Sequence, residues 1–324
     1  MCKQIIYFGA PGTGKSHCVD QQTQNSKRLR VTIHPEYSYS DFVGQVLPVS
    51  KNGKFSFEFV PGPLTKALSI AFEDRKQPVA LILEELSRGD VAAIFGDMFQ
   101  LLDRGDDGIS EYPVDNENVA SQIRETEEWT SGRFERSQVF FPANLSIYAT
   151  VNLNDQNVAP MDTAFKRRFE WNYVPITPVQ DENGNYVNNP AIHLIGQSGE
   201  IIEVSWVDFY QALDFMIVDR NIGLGRNEDR QVGQFFLKFH ADDITGSRSE
   251  SSDVKHSAME NIDELIRNKL LMYLWQDVQP KGVRGNEAPS LFLPGISSFQ
   301  DLHERSAKKQ QVFNDTFFTN FLKC

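Results

Sequence analysis

"IIYFGAPGTGKS", Ile5 to Ser16, decides how this chain folds. Its first four residues are apolar and β-prone and run straight into glycine, so they read as a buried strand. Gly9, Gly12 and Gly14 let the backbone turn tightly and come close to an anion. The residues after them read as a helix, whose N-terminus favours negative charge. Gly9, Ala10, Pro11, Gly12, Thr13, Gly14, Lys15 and Ser16 therefore form a candidate phosphate-binding loop. In it Lys15 reaches the β- and γ-phosphates and the Ser16 hydroxyl faces Mg²⁺. A chance glycine-rich turn would not need this order of strand, loop and helix.

The next signal is Val79-Ala80-Leu81-Ile82-Leu83, a continuous apolar run expected of a central strand in a parallel sheet. It ends in Glu84-Glu85, at the carboxyl end where such folds bind ligands. One carboxylate, Glu84, suits a metal shell; the next, Glu85, suits orienting or activating a water. Two exposed acids closing a strand is the bland alternative. Leu145 to Val151 is another buried-strand candidate, and Asn152 closes it with Asp155 three residues on. A polar group there is placed to touch the terminal phosphate or the attacking water; as a bare turn former it would do neither. In "MDTAFKRRFEW", Met161 to Trp171, Asp162 suits a helix cap. Lys166, Arg167 and Arg168 suit a helix end, or one arginine stabilises charge on a transferring phosphoryl group of a neighbouring subunit.

Composition bounds the rest. The chain has 324 residues, 40% apolar and 23% charged, which fits a globular protein with a real core. Its formal net charge of −12 argues against a basic coat, so any nucleic-acid contact is local or supplied by a partner. Cys2, Cys18 and Cys324 are too few and scattered for a disulfide framework or a zinc site and fit a reducing cytoplasm. No apolar run reaches membrane-span length, and the start leads at once into a strand, so neither a span nor a signal peptide is expected.

Taken in order, these elements resemble an AAA+ ATPase domain, and more narrowly the McrB family of nucleotide-driven motor subunits in modification-dependent restriction systems. Further stretches carry the same resemblance. They are "IHPEYSYSDFVG" (Ile33–Gly44, on the second strand), "VPGPLTKAL" (Val60–Leu68), "LILEELSRGDVAAIFGDMFQLLDR" (Leu81–Arg104) and "FPANLSIYATVNLND" (Phe141–Asp155). Later, "WVDFYQALDFMI" (Trp206–Ile217), "DRQVGQFFL" (Asp229–Leu237) and "IDELIRNKLLMYLWQDV" (Ile262–Val278) resemble the family's lid. Glu84 stands where the family has Asp, and Gly233-Gln234-Phe235-Phe236 replaces a Gly-His-Ser-Tyr-Phe run.

The resemblance implies an α/β fold: an AAA+ P-loop αβα sandwich with a parallel sheet over residues 1–178, then a mostly helical lid over 179–280 with a hairpin link. It leaves 281–324 as a tail packing on the core or on a partner, its aromatic end buried. Gly105 to Gln138 reads as a solvated loop or hairpin insertion, and Gly246 to Asp253 as a mobile loop. The implied assembly is a homo-oligomeric ring, a hexamer, with an McrC-like nuclease partner, acting on DNA in defence. The domain with which McrB proteins often read DNA would precede the first strand, where none is expected here. DNA then comes through another chain or the ring pore. Glu85 would position water with Asn152 and Asp155 assisting, Glu84 and Ser16 would hold Mg²⁺, and Arg167 or Arg168 would act on the neighbour's nucleotide. The nucleotide leans to GTP from the McrB resemblance and to ATP from the wider one. A protein-remodelling ATPase of the MoxR type, without nuclease or DNA, stays open, as does a nucleotide-gated scaffold.

Overall fold

Our computed structural model describes residues 2–51, 54–123, 135, 137–152, 161–279 and 290–322. Contacts divide the chain into two units: Met1–Phe8 with Lys15–Tyr173, and Gly9–Gly14 with Val174–Cys324.

The first unit runs in the order β1 (Gln4–Phe8), α1 (Lys15–Gln22), β2 (Lys27–Thr32), α2 (Tyr39–Phe42), β3 (Gly44–Lys51), β4 (Lys54–Pro61), α3 (Pro63–Glu73) and β5 (Val79–Glu84). It continues through α4 (Val91–Phe95), β6 (Val114–Asp115), α5 (Glu117–Ile123), β7 (Gln138–Val139), β8 (Leu145–Val151), α6 (Thr163–Lys166) and β9 (Glu170–Tyr173). Five strands form one parallel sheet in the order β2-β5-β8-β1-β9. The interior strands are mainly apolar because helices cover both faces, with Gln4, Glu84, Ser146 and Thr150 as the polar exceptions. Ile6, Leu81, Leu83, Ile147 and Ala149 join the core under α3, α4 and α5. Their neighbours Ile5, Tyr7, Ala80, Ile82 and Tyr148 are buried too but point the other way, toward the side where α1 lies against β1 and β8. β2, at the sheet edge, alternates exposed Lys27, Arg28 and Arg30 with half-buried residues, as an edge strand does.

Local chemistry starts and stops these elements. Ser38 and Asp41 form a reciprocal capping box on α2, and Gly62-Pro63 opens α3. The Asp162 carboxylate accepts the Phe165 amide at 2.6 Å and caps α6, as its sequence suggested. Phe165 then stacks on Phe169 and meets Phe95 edge-on.

Three expectations need correction. Ile33–Gly44 does not lie on the second strand: β2 stops at Thr32, and the stretch holds α2 instead. Gly105–Gln138 is not simply a solvated loop. It contains the β6–β7 ladder, and α5 buries Val119, Ala120 and Ile123 in the core. Gly246–Asp253 is shorter than a loop of that span, since α9 already begins at Ser252.

The second unit opens with a turn over Asp181–Asn185, closed by a Gln180–Tyr186 bridge. An antiparallel hairpin follows, β10 (Ala191–Ile195) with β11 (Ile201–Ser205), so this part of the chain is not helical from its start. Then come α7 (Trp206–Val218), α8 (Ala241–Gly246), α9 (Ser252–Leu265), α10 (Leu271–Tyr273) and α11 (Phe299–Ala307), with wider π turns on both sides of α10. The stripe Ile262, Ile266, Leu270, Leu271 and Leu274 is buried, as helical spacing implies. The aromatic end folds onto its own unit: Phe292, Phe313 and Phe317 share a core with Trp206, Phe209 and Leu213.

Candidate nucleotide site

In the first unit, α1 begins at Lys15, which is buried. Beside it the Ser16 hydroxyl donates to Glu84 Oε2 at 3.1 Å. Glu84 ends β5, and parallel pairing sets β8 alongside it. The Thr150 hydroxyl of β8 therefore donates to the same Glu84 oxygen. Arg30, from β2 on the other side, pairs with Glu84 Oε1 and with Asp20. Glu84 is 13% exposed, so its charge is met by a cation and two hydroxyls in a nearly closed setting.

Glu85 departs from the strand. Its φ is 56°, the left-handed region that a side chain other than glycine, Asn or Asp rarely enters. The Thr150 hydroxyl also lies 3.2 Å from the Glu85 amide. This turn sends the Glu85 carboxylate to Asn152, whose Nδ2 donates to both carboxylate oxygens at 3.0 Å. Arg88 Nε reaches Glu85 Oε2 at 3.3 Å. The Asn152 side-chain oxygen Oδ1 is buried and has no hydrogen-bond partner among the described residues, whereas its backbone carbonyl accepts the Ser87 hydroxyl at 3.3 Å. An orphaned acceptor beside an acid is suited to receive a water or hydroxyl proton.

Ser16, Glu84, Glu85 and Asn152 thus come together as the sequence suggested. Asp155 lies outside the described residues. Arg167 is exposed on the end of α6. Arg168 differs: its guanidinium is bidentate to Asp103, donates to the Ala164 carbonyl at 2.9 Å and lies 4.3 Å over the Phe99 ring. It is 10% exposed and engaged within its own chain, whereas Arg167 makes no such pairing among the described residues. Thr150 and Arg30 went unread in the sequence. Thr150 left one signal, two residues before Asn152, the spacing that keeps side chains on one face of a strand.

The remaining loop residues belong to the second unit. Gly12 and Gly14 have φ of 79° and 93°, which only glycine adopts freely. Thr13 Oγ1 donates to the Ala10 carbonyl at 3.0 Å and tightens the turn. The Pro11 and Gly12 carbonyls accept the Gly233 and Phe235 amides, each at 2.9 Å.

The donor set fits a hard divalent cation: a hydroxyl and a carboxylate oxygen converge at Ser16 and Glu84. Among the described residues no cluster of three or more His, Cys, Asp or Glu forms a separate metal site. No described helix is long and apolar enough to cross a membrane.

The profile of the AAA domain, dynein-related subfamily, matches residues 4–169. The type II restriction enzyme BsuMI component YdiS of Bacillus subtilis (strain 168) is 29% identical over 337 residues, covering 95% of this chain and 87% of that protein. The type IV methyl-directed restriction enzyme EcoKMcrB subunit of Escherichia coli (strain K12) is 25% identical over 183 residues, covering 54% of this chain and 36% of that protein. The McrB-like resemblance is therefore borne out.

Proposed function

Because this chain belongs to the AAA domain family, dynein-related subfamily, we propose that it is the nucleotide-hydrolysing motor subunit of a McrBC-like restriction complex. The AAA domain implies nucleoside-triphosphatase activity, and the chain is related to restriction-system components. The finer reading adds a partner nuclease, DNA as the target, defence as the role, and a ring as the working form. The observation that supports the nucleotide-hydrolysing part is the Ser16–Glu84 and Glu85–Asn152 pairing at the carboxyl ends of the parallel strands, and the likeness to two restriction-enzyme components supports the rest.

In this reading Lys15 binds the β- and γ-phosphates. Ser16 and Glu84 would hold Mg²⁺, which would supply charge neutralisation at the phosphates. Glu85 takes the proton of the attacking water, and Asn152 holds Glu85 in line through Nδ2 while its side-chain Oδ1 is left to accept a hydrogen bond from that water. Asp155 assists by reading the terminal phosphate. Arg167 of the neighbouring subunit meets the charge on the transferring phosphoryl group, so hydrolysis depends on assembly. GTP is the favoured nucleotide over ATP.

A MoxR-type remodelling ATPase is the second reading, favoured by the net charge of −12. One assay separates the two. Steady-state hydrolysis of GTP and ATP is measured with and without duplex DNA and candidate nuclease, with Glu85→Gln as control. The motor reading expects GTP preference, stimulation by DNA or nuclease, and at least about 10²-fold loss in the control with binding kept. ATP preference with no response to either addition overturns it in favour of remodelling.

A further inference from the structure

Gly233-Gln234-Phe235-Phe236 replaces the family's polar run, and its one polar side chain is turned inward. Gln234 is 2% exposed; its Oε1 accepts the Val179 amide at 2.6 Å and its Nε2 donates to the Val187 carbonyl. Its own carbonyl accepts Trp206 Nε1 and Asn188 Nδ2, each at 2.9 Å. Gln234 is thus a peg that fixes this segment, its side chain held by the Val179 and Val187 backbone.

The backbone of the segment does face something. Gly233 and Phe235 amides donate to the carbonyls of Pro11 and Gly12 within the same unit. The approach is as close as backbones allow. A Cβ on Gly233 would stand 2.3 Å from the Gly12 carbonyl carbon and 2.4 Å from the Thr13 nitrogen; one on Gly12 would stand 2.3 Å from the Phe236 nitrogen. Peptide planarity turns this contact into aim. A carbonyl and the next residue's N–H lie in one plane and point opposite ways. Pinning the Pro11 carbonyl directs the Gly12 N–H away from the segment, and pinning the Gly12 carbonyl does the same for Thr13. Loop amides so directed are the phosphate donors of such a loop.

One buried group holds the segment at its other end. Asp214 of α7 is 0% exposed, and its Oδ1 accepts the Val232 amide at 2.6 Å. Its Oδ2 is buried with no partner among the described residues. An apolar side chain at this place would avoid that desolvation cost, so the carboxyl is kept for the bond it makes. Tyr273 braces the neighbouring residues, with its hydroxyl on the Arg230 carbonyl at 3.1 Å and its ring 4.8 Å from Phe236.

We propose that Val232–Phe236, positioned by Asp214, is a backbone clamp that aims the amides of the phosphate loop and thereby sets nucleotide affinity. Asp214 and Gly233 are positioning residues, and the inference rests on the nucleotide-hydrolysing reading above.

The test measures KM and kcat for nucleotide hydrolysis, and Kd for a fluorescent nucleotide analogue, in the wild type, Gly233→Ala, Asp214→Leu and Asp214→Asn. Gly233 lies outside the left-handed region, so alanine there meets only the loop backbone. Gly233→Ala and Asp214→Leu should raise KM and Kd about tenfold, with kcat within about threefold. Asp214→Asn keeps an acceptor for the Val232 amide and should stay within about threefold in both. A purely structural role would lower kcat through lost folded protein and leave KM unchanged; that result overturns the clamp. Wild-type KM and Kd in a folded Gly233→Ala overturns it too, and needs no result from Asp214→Leu. Absence of binding and turnover in the wild type itself would overturn the nucleotide reading, and the clamp with it.

Discussion

Glu84 and Glu85 are adjacent in sequence and serve opposite neighbours. Glu84 keeps the strand conformation and turns to Ser16 and Arg30. Glu85 adopts φ 56° and turns to Asn152. Strain of this kind collects at working sites, where surrounding bonds hold it in place. The acids and Asn152 were legible because their residue types and strand-end positions carry the chemistry. The fate of the two arginines was not. Arg168 meets Asp103 at a sequence separation of 65, and no local pattern encodes that pairing. Arg168→Ala should therefore act on stability, lowering it by about 1–3 kcal/mol as Asp103 loses its cation, read as a fall in Tm. Arg167→Ala should leave Tm in place and abolish turnover. Mixing Arg167→Ala with Glu85→Gln should restore part of the activity, because some subunit boundaries then carry one intact Glu85 and one intact Arg167. A mixture as inactive as either variant alone would remove Arg167 from the neighbour's site.

At the scale of elements, long apolar strands and helices announced themselves and short ones did not. β1, β5 and β8 are dominated by apolar residues, and α7 carries Ser205 as its cap. The two-residue strands β6 and β7 are too short for any period to register. α5 was hidden because polar residues surround its three buried ones. α7 also carries Asp214, whose carboxyl burial pushes well above the ordinary 3.8. The groups facing it are Tyr210 on its own helix and Tyr273 of α10, whose hydroxyls burial pushes up as well. An acid raised on folding binds its proton more tightly in the native state. Its contribution is full below the ordinary carboxylate pKa and is lost as pH rises through the native one. Asp214→Asn should flatten this decline, so that thermal unfolding between mildly acidic and neutral pH shows a smaller drop than in the wild type. Equal slopes in the two proteins would mean that Asp214 is charged in both states.

For the molecule as a whole, one loop and one acidic strand end announced a parallel sheet, so the fold class was open to reading, while the strand order came only with the structure. The division into units was less so. Contacts place Gly9–Gly14 apart from the strand and helix they join, and with Val174–Cys324. That grouping arises from backbone bonds at Pro11 and Gly12, whose partners lie over 200 residues away. Net charge of −12 points away from a chain that grips DNA over its whole surface. Sites completed by a neighbour make rate per subunit a function of concentration. The most direct test is specific nucleotide hydrolysis measured over a wide range of protein concentration, with Glu85→Gln as the blank. The account predicts a specific activity that climbs steeply with concentration and then levels off as subunits assemble. A specific activity that is constant down to the lowest concentration, in a protein shown to be monomeric there, would contradict it.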